Sequence, residues 1–425
     1  MQTVARAVPG LGKAFVKKEE ETTASLYTRA AVPGLSPPER PASLAALLAI
    51  TFLGSMSGGT FWGGLYFVTA EAYHFSPERN LALGALMGAI AALGASSAAR
   101  LAARLAPRTV LVGVLAAWSV VAFLPVAVPQ SQAILWLTAL VGGATSATLW
   151  PIVESYVSAG RHGADMRAAI GWFNITWTPA VAVPLFLLPV IAQVGLTWSL
   201  GLAGIVNLLA IAVVLTLPPR PAGHEPEAAR AATGTEYPAL ARATTWLLPL
   251  SYVFSTTLAP VLPYRLTALG LGPQASVVAA LWMAARFGTF LVMWRSGFWH
   301  GRWGTLVAGS VGVALGIGLV MLAPSITLAV IGLIVFGVGM GLIYYAALYY
   351  SLTVGHAAVD AGGKFEALVG VGSSIGPLLG ILGHVLTKTR PEITTVALSL
   401  GVFVLALPSI VHPYRQARAR RPAKR

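Results

Sequence analysis

Apolar residues run through this chain in stretches of about 20, the length a helix needs to cross the hydrocarbon core of a bilayer. Twelve such stretches stand between short polar gaps: 43–71, 79–98, 109–128, 132–156, 168–192, 196–217, 245–269, 273–294, 305–323, 327–352, 365–386 and 392–411. They are continuous runs of Leu, Ala, Gly and Val. The two-residue alternation of a membrane β-barrel strand is absent from them. Backbone groups in lipid must pair internally, which leaves helices. The expected fold is therefore an all-α integral membrane protein with twelve transmembrane helices.

Composition agrees. Charged residues make up 10% of the 425 and apolar residues 56%, whereas a soluble domain carries about 25% charge. The longest internal polar stretch, rich in Pro, Gly, Ala and Glu, divides the spans six and six. The expected units are a tail at 1–42, a six-helix bundle at 43–217, a linker at 218–244, a second bundle at 245–411 and a basic tail at 412–425. The halves echo one another. A shift of 195 residues brings Arg100 onto Arg295, and one of 197 brings Arg167 onto Lys364 and Pro179 to within one position of Pro377. Repeats of this kind mark transporters, with substrate held near the midplane between them.

The net charge of +14 changes the picture only through its placement. If the N-terminus is cytoplasmic, 23 of the 28 Lys and Arg fall in the tails and cytoplasmic connections, the other five being Arg79, Arg265, Arg286, Lys388 and Arg390. This is the positive-inside bias. It places both termini in the cytoplasm of a multi-pass protein, with a bacterial inner membrane as the expected location. The basic tail reads as a contact for lipid headgroups. Nucleic acid is not an expected partner, because no reading module accompanies the charge. The chain has no Cys, which excludes disulfides, thiolate metal sites and thiol catalysis. No phosphate-binding Gly-x-x-x-x-Gly-Lys-Ser/Thr loop is present, so ATP is not a direct energy source. Neither a cofactor nor a metal is expected.

Six plus six helices, a long central loop and parallel halves resemble the major facilitator superfamily over about 43 to 411. The family's Gly-x-x-x-Asp-Arg-x-Gly-Arg loop is reduced here to "ARLAARLAPRTVL" in the first half. In the second it is "RSGFWHGRWGTL", which keeps Gly301, Arg302 and Gly304 without the acid. The segment "GVGSSIGPLLGIL" fits the glycine–proline motif of the family's export branch through Gly372, Gly376, Pro377 and Gly380, but in helix eleven rather than five. Its glycines give a flat face for close helix approach. The resemblance implies alternating access by a monomer acting on a small molecule, with proton coupling and export both open. It also implies a cavity lined by helices one, four, seven and ten, where Trp62, Tyr252 and Tyr345 are candidate contacts. Tyr349 and Tyr350 read as interfacial belt residues.

The remaining charges carry the sharper expectations. Arg286 is the one charged residue in the eighth apolar run, on a face with Ala279, Trp282, Met283, Thr289, Phe290 and Met293. An arginine at the bilayer centre costs about 2.5 to 3.5 kcal/mol or more, so it should face the bundle interior. Two readings stand: a planar fork for an anionic substrate, or a structural arginine tied to carbonyls or to a buried acid. Trp282 shares its face. Asn174 and Trp177, three apart in the fifth run, are candidate substrate contacts. Glu71 and Arg265 are the expected gate at the outer mouth. Glu154 and Glu366 are expected at the cytoplasmic ends, closing the inner side with Arg100 and Arg302, and no acid is expected at mid-depth. The expected function is secondary transport of a small organic molecule, with an anion favoured by Arg286. A non-transporting receptor or scaffold, or a membrane-embedded enzyme, would be the alternatives.

Overall fold

The structure is a computed structural model that describes residues 41–161, 163–222, 236–354 and 359–419. Among these residues there are twelve helical spans and no strand. The first half holds α1 (Leu44–Ala72), α2 (Pro77–Arg104), α3 (Pro107–Ala127), α4 (Gln132–Ser158), α5 (Gly163–Ile191) and α6 (Trp198–Val214). The second holds α7 (Tyr237–Leu258, continued after a 48° bend by Leu262–Ala268), α8 (Gly272–Arg295), α9 (Trp303–Met321), α10 (Ile326–Val354), α11 (Val359–Leu386) and α12 (Pro391–Ala419). Ten are long and apolar enough to cross a bilayer, bent α7 makes an eleventh, and α6 is a shorter apolar helix of 17 residues.

Local chemistry sets the ends. Ser76 caps α2 by accepting from the Arg79 amide at 3.4 Å, with Pro77 at the first position where its missing N–H is harmless. Ser131 caps α4 in the same way through the Ile134 amide at 3.3 Å. The lipid-facing sides stay apolar, as at Leu405 on α12, 81% exposed. Two boundaries differ from the sequence expectation. Helix α7 begins at Tyr237, inside the stretch read as linker, and α12 runs past 411 to Ala419, carrying Arg415 and Arg418. In α7 Pro238 falls in the first turn, where its missing N–H is harmless, and α12 continues through Pro413 with the loss of one ladder bond. Residues 223–235 of the linker lie outside the described residues.

Successive helices alternate in direction, so both ends of the described chain, the stretch after α6 and the start of α7 share one end, here the termini end; the opposite one is the far end. The halves join through small residues. A Cβ on Gly88 of α2 would lie 2.4 Å from the Ser373 carbonyl carbon of α11, and one on Gly370 2.5 Å from the Ala92 nitrogen. The glycine–proline motif packs in the same way: added Cβ atoms would lie 2.1 Å from Pro249 O at Gly372, 2.2 Å from Val253 O at Gly376 and 2.6 Å from Leu81 at Gly380. Gly372 and Gly376 thus seat α11 on α7, while Gly380 and Pro377 face α2. At the far end Asn80 donates to Pro260 O at 3.3 Å and Tyr264 to Phe75 O at 2.5 Å, and His384 stands 3.8 Å from Glu78. At the termini end Trp294 of α8 covers Gly171 of α5 and packs against Trp172, ring centroids 4.9 Å apart.

Tyr349 and Tyr350 are not belt residues. Both are buried in an aromatic cluster with Tyr237 and Trp299 at the termini end. The loop between α8 and α9 folds onto it: Gly301 adopts φ +68°, favoured by glycine, and its amide donates to the Tyr350 hydroxyl at 3.0 Å. The twelve-span topology predicts that reporter fusions after Pro129 and after Arg167 mark opposite sides of the membrane. The same side for both would contradict the span count in the first half.

Candidate functional site

Between the halves lies a cavity of about 180 Å³. Four helices of each half wall it: α1, α2, α4 and α5 from one, α7, α8, α10 and α11 from the other. Its walls are aromatic, with Trp62, Trp150, Trp177, Tyr252, Trp282 and Tyr344 all on it. The halves touch on both sides of it, through the far-end and termini-end contacts above. Many neighbouring hydroxyls are spent on their own helix, as Thr256 on Tyr252 O at 2.7 Å and Thr145 on Val141 O at 2.7 Å, so they add little free polarity.

Arg286 is on this wall, 2% exposed. Its guanidinium carbon lies 4.6 Å from the Trp177 ring centroid and 4.4 Å from that of Tyr344, with Phe290 at 5.4 Å. Trp177 belongs to the first half and Tyr344 to the second. Aromatic faces attract the cation, but they do not use its N–H donors. Nε and Nη2, the edge that grips a carboxylate side-on, have no hydrogen-bond partner. Such a buried donor edge is costly to leave unmade. The Tyr252 hydroxyl and the Glu366 carboxylate are within electrostatic reach of it, and neither forms an ion pair or a hydrogen bond with it that meets ordinary geometry.

A second buried group completes the cluster. Glu154 of α4 is 3% exposed, and neither carboxyl oxygen has a partner. It fits against Gly362 of α11, where an added Cβ would stand 2.9 Å from Oε2, and it interacts with Glu366 one turn along α11. Glu366 lines the cavity. Both acids lie towards the termini end, as expected, but Glu154 turns inward, and the expected pairing of these acids with Arg100 and Arg302 is corrected. Both arginines are exposed, and no salt bridge joins them to Glu154 or Glu366. Charge spacing along one helix could not reveal that α4 turns its acid inward against a glycine of the other half.

The other candidates divide. Trp62, Trp177, Tyr252 and Trp282 line the cavity. Asn174 does not; it is fully buried behind Trp177 and accepts the indole Nε1–H at 2.9 Å. It orients the ring that faces Arg286. Tyr345 lies one layer away, packed on Phe290 and Trp299, and its neighbour Tyr344 reaches the cavity instead. One residue on a helix is 100° of rotation, and the run of paired tyrosines gave no phase. Glu71 and Arg265 do not meet. Glu71 is exposed, while Arg265 donates to Val320 O at 3.4 Å and to Ala323 O. The bend after Leu258 carries Arg265 towards the end of α9, whose free carbonyls it satisfies. Phe173 was missed; it lines the cavity as the apolar neighbour of Asn174.

The sequence profile described as Major Facilitator Superfamily matches residues 47–381. Among solved structures, the nucleoside transporter NupG superposes with a TM-score of 0.63 at 15% identity, covering 87% of this chain and 98% of that one. An aspartate-to-alanine variant of NupG gives 0.60 at 12% identity, covering 87% and 99%. No curated protein sequence matches the chain.

Removing the Asn174 acceptor leaves a buried indole N–H unmade. Asn174→Ala should therefore lose about 1–3 kcal/mol in unfolding of the purified protein. The double variant Asn174→Ala/Trp177→Phe should lose less than the sum of the single changes. Strict additivity would show that the two side chains do not act together.

Proposed function

The chain belongs to the major facilitator superfamily, and we propose that it moves a small organic anion across the membrane by alternating access, together with a proton. The observation that carries this is the buried Arg286 edge, Nε and Nη2 without partners, on the wall of a cavity between the halves. A guanidinium is a planar fork matched to a carboxylate or phosphate. Here it is held between Trp177 and Tyr344, so its orientation is fixed before a ligand arrives. The aromatic walls favour a flat or apolar body on that anion. NupG is a nucleoside transporter, which makes nucleosides a neutral class to compare.

Charge balance supports the proton. Arg286 contributes one positive charge, and Glu154 and Glu366 two acidic groups; Arg286 and Glu154 are buried, and Glu366 is half-buried on the cavity wall. An isolated buried charge is strongly unfavourable. The cluster is neutral when the two acids share one proton. A bound anion makes it negative again unless a second proton enters, so anion and proton travel together. An inward proton gradient would then drive uptake. Export, which the glycine–proline motif suggests by resemblance, draws no added support from that motif's packing role. Glu154 and Glu366, expected as gates, act in this reading as the proton site. The termini are proposed to be cytoplasmic, from the charge bias, in a bacterial inner membrane, and the transporter to be a monomer.

A thermal-shift screen of the purified protein against small organic acids, their neutral amides, amines and nucleosides identifies the class, because a tight ligand stabilises the native state by mass action. Acids should raise the melting temperature and their amides should not. For a responding acid, Arg286→Lys keeps the charge and loses the fork, so affinity should fall about tenfold or more. Equal binding by Arg286→Ala would remove the arginine from the site. Binding without uptake into proteoliposomes would indicate a receptor. Glu154→Gln should abolish accumulation driven by a pH gradient while sparing exchange of internal for external substrate; gradient-driven accumulation at the wild-type level would overturn the coupling.

A further inference from the structure

A different feature lies on the outer surface, at the termini end. There α7 and α12 leave a groove between them. One part is lined by Arg242, Thr245 and Trp246 of α7 with Ser409 and His412 of α12. The adjoining part runs along α12 past Val404, Leu407 and Val411 and includes Arg415; both parts share Pro408 and His412. The groove is thus polar and basic towards the termini end and apolar towards the middle of the membrane. No carboxylate lines either part among the described residues. Arg242, His412 and Arg415 are exposed, and Trp246 is 50% exposed. Prolines 408 and 413 stand inside α12 and withhold two backbone N–H groups from its ladder.

The rim is fixed in place. Trp303, at the start of α9, packs against Tyr414 with centroids 5.1 Å apart and donates to the Glu236 carboxylate at 3.2 Å. The basic end of α12 and the start of α7 are therefore held to the same indole. Nothing in the central cavity uses these residues.

We propose that this groove binds an anionic phospholipid of the adjacent leaflet. The phosphate lies among Arg242, His412 and Arg415, Trp246 sits at the headgroup level, and an acyl chain follows Val404, Leu407 and Val411. Basic pockets between helices at a membrane face recognise anionic headgroups, and interfacial Trp anchors the boundary between chain and headgroup. The charge selects an anionic lipid over a zwitterionic one. The apolar half of the groove selects a lipid over free phosphate.

The test compares melting of the purified protein in detergent with added dioleoyl-phosphatidylglycerol, dioleoyl-phosphatidylcholine or inorganic phosphate. Phosphatidylglycerol should stabilise the wild type more than either of the others. Arg242→Gln with Arg415→Gln should weaken its binding by roughly 25-fold, about fivefold for each arginine. Equal stabilisation by phosphatidylcholine, an equal effect of inorganic phosphate, or full retention in the double variant would overturn the proposal. A second measurement uses native side chains: quenching of Trp246, taken as wild type minus Trp246→Phe, in vesicles of brominated phosphatidylglycerol or brominated phosphatidylcholine. Stronger quenching by the anionic lipid at equal mole fraction is expected. Equal quenching would contradict an anionic site.

Discussion

One guanidinium, enclosed between an indole of the first half and a phenol of the second, sets the terms for the rest of the site. A cation this far from water needs compensation. The protein supplies aromatic faces at 4.6 and 4.4 Å and a carboxylate within reach, but leaves Nε and Nη2 unpartnered. Because Trp177 and Tyr344 come from different halves, Arg286 also holds the halves together. Any movement that parts the halves must change its surroundings. In the proposed function, ligand binding and conformation are linked through this one side chain, since a ligand shifts only those states with which it interacts differently.

The second group at this junction obeys the same constraint. Glu154 packs against α11 at Gly362, which has no side chain to crowd its carboxyl, and Glu366 follows one turn later. Two acids from opposite halves interact, and Glu366 is in turn within electrostatic reach of Arg286, so the charge of the cluster depends on how many protons it holds. The small residues at the interface serve this arrangement. Gly88 and Gly370 bring α2 and α11 to backbone contact, and Gly171 accepts Trp294 at the termini end. Close packing of this sort has discrete arrangements rather than a continuum, which suits a rocking mechanism.

Much of the fold was legible in the sequence. Run length and composition decide for helices in lipid, and lysine and arginine placement decides for an even topology. The burial of Arg286 followed from the cost of a charge in lipid, and its companions Trp282 and Met283 from helical phase. Partners across the interface were not legible. Glu154 lies near the end of an apolar run, so hydropathy treats it as an end-charge, while the structure turns it against Gly362. Arg265 and Glu71 sit at matching places in the repeat, but a 48° bend after Leu258 separates them. Tyr344 and Tyr345 differ by one position, and only the packing of α10 decides which one faces the cavity. In each case the missing information is the rotation of one helix against another, which comes from long-range packing rather than local sequence.

The central claim is that the buried cluster is electrically neutral, with one carboxyl of the Glu154–Glu366 pair carrying a proton. Infrared spectroscopy of the purified protein at neutral pH observes that proton directly, through the C=O stretch of an undissociated carboxylic acid. The band should be present in the wild type, should be lost or displaced in both Glu154→Gln and Glu366→Gln, and should be untouched in Glu71→Gln, whose carboxyl is exposed. A wild-type spectrum with no such band, or one that both substitutions leave unchanged, would contradict the account.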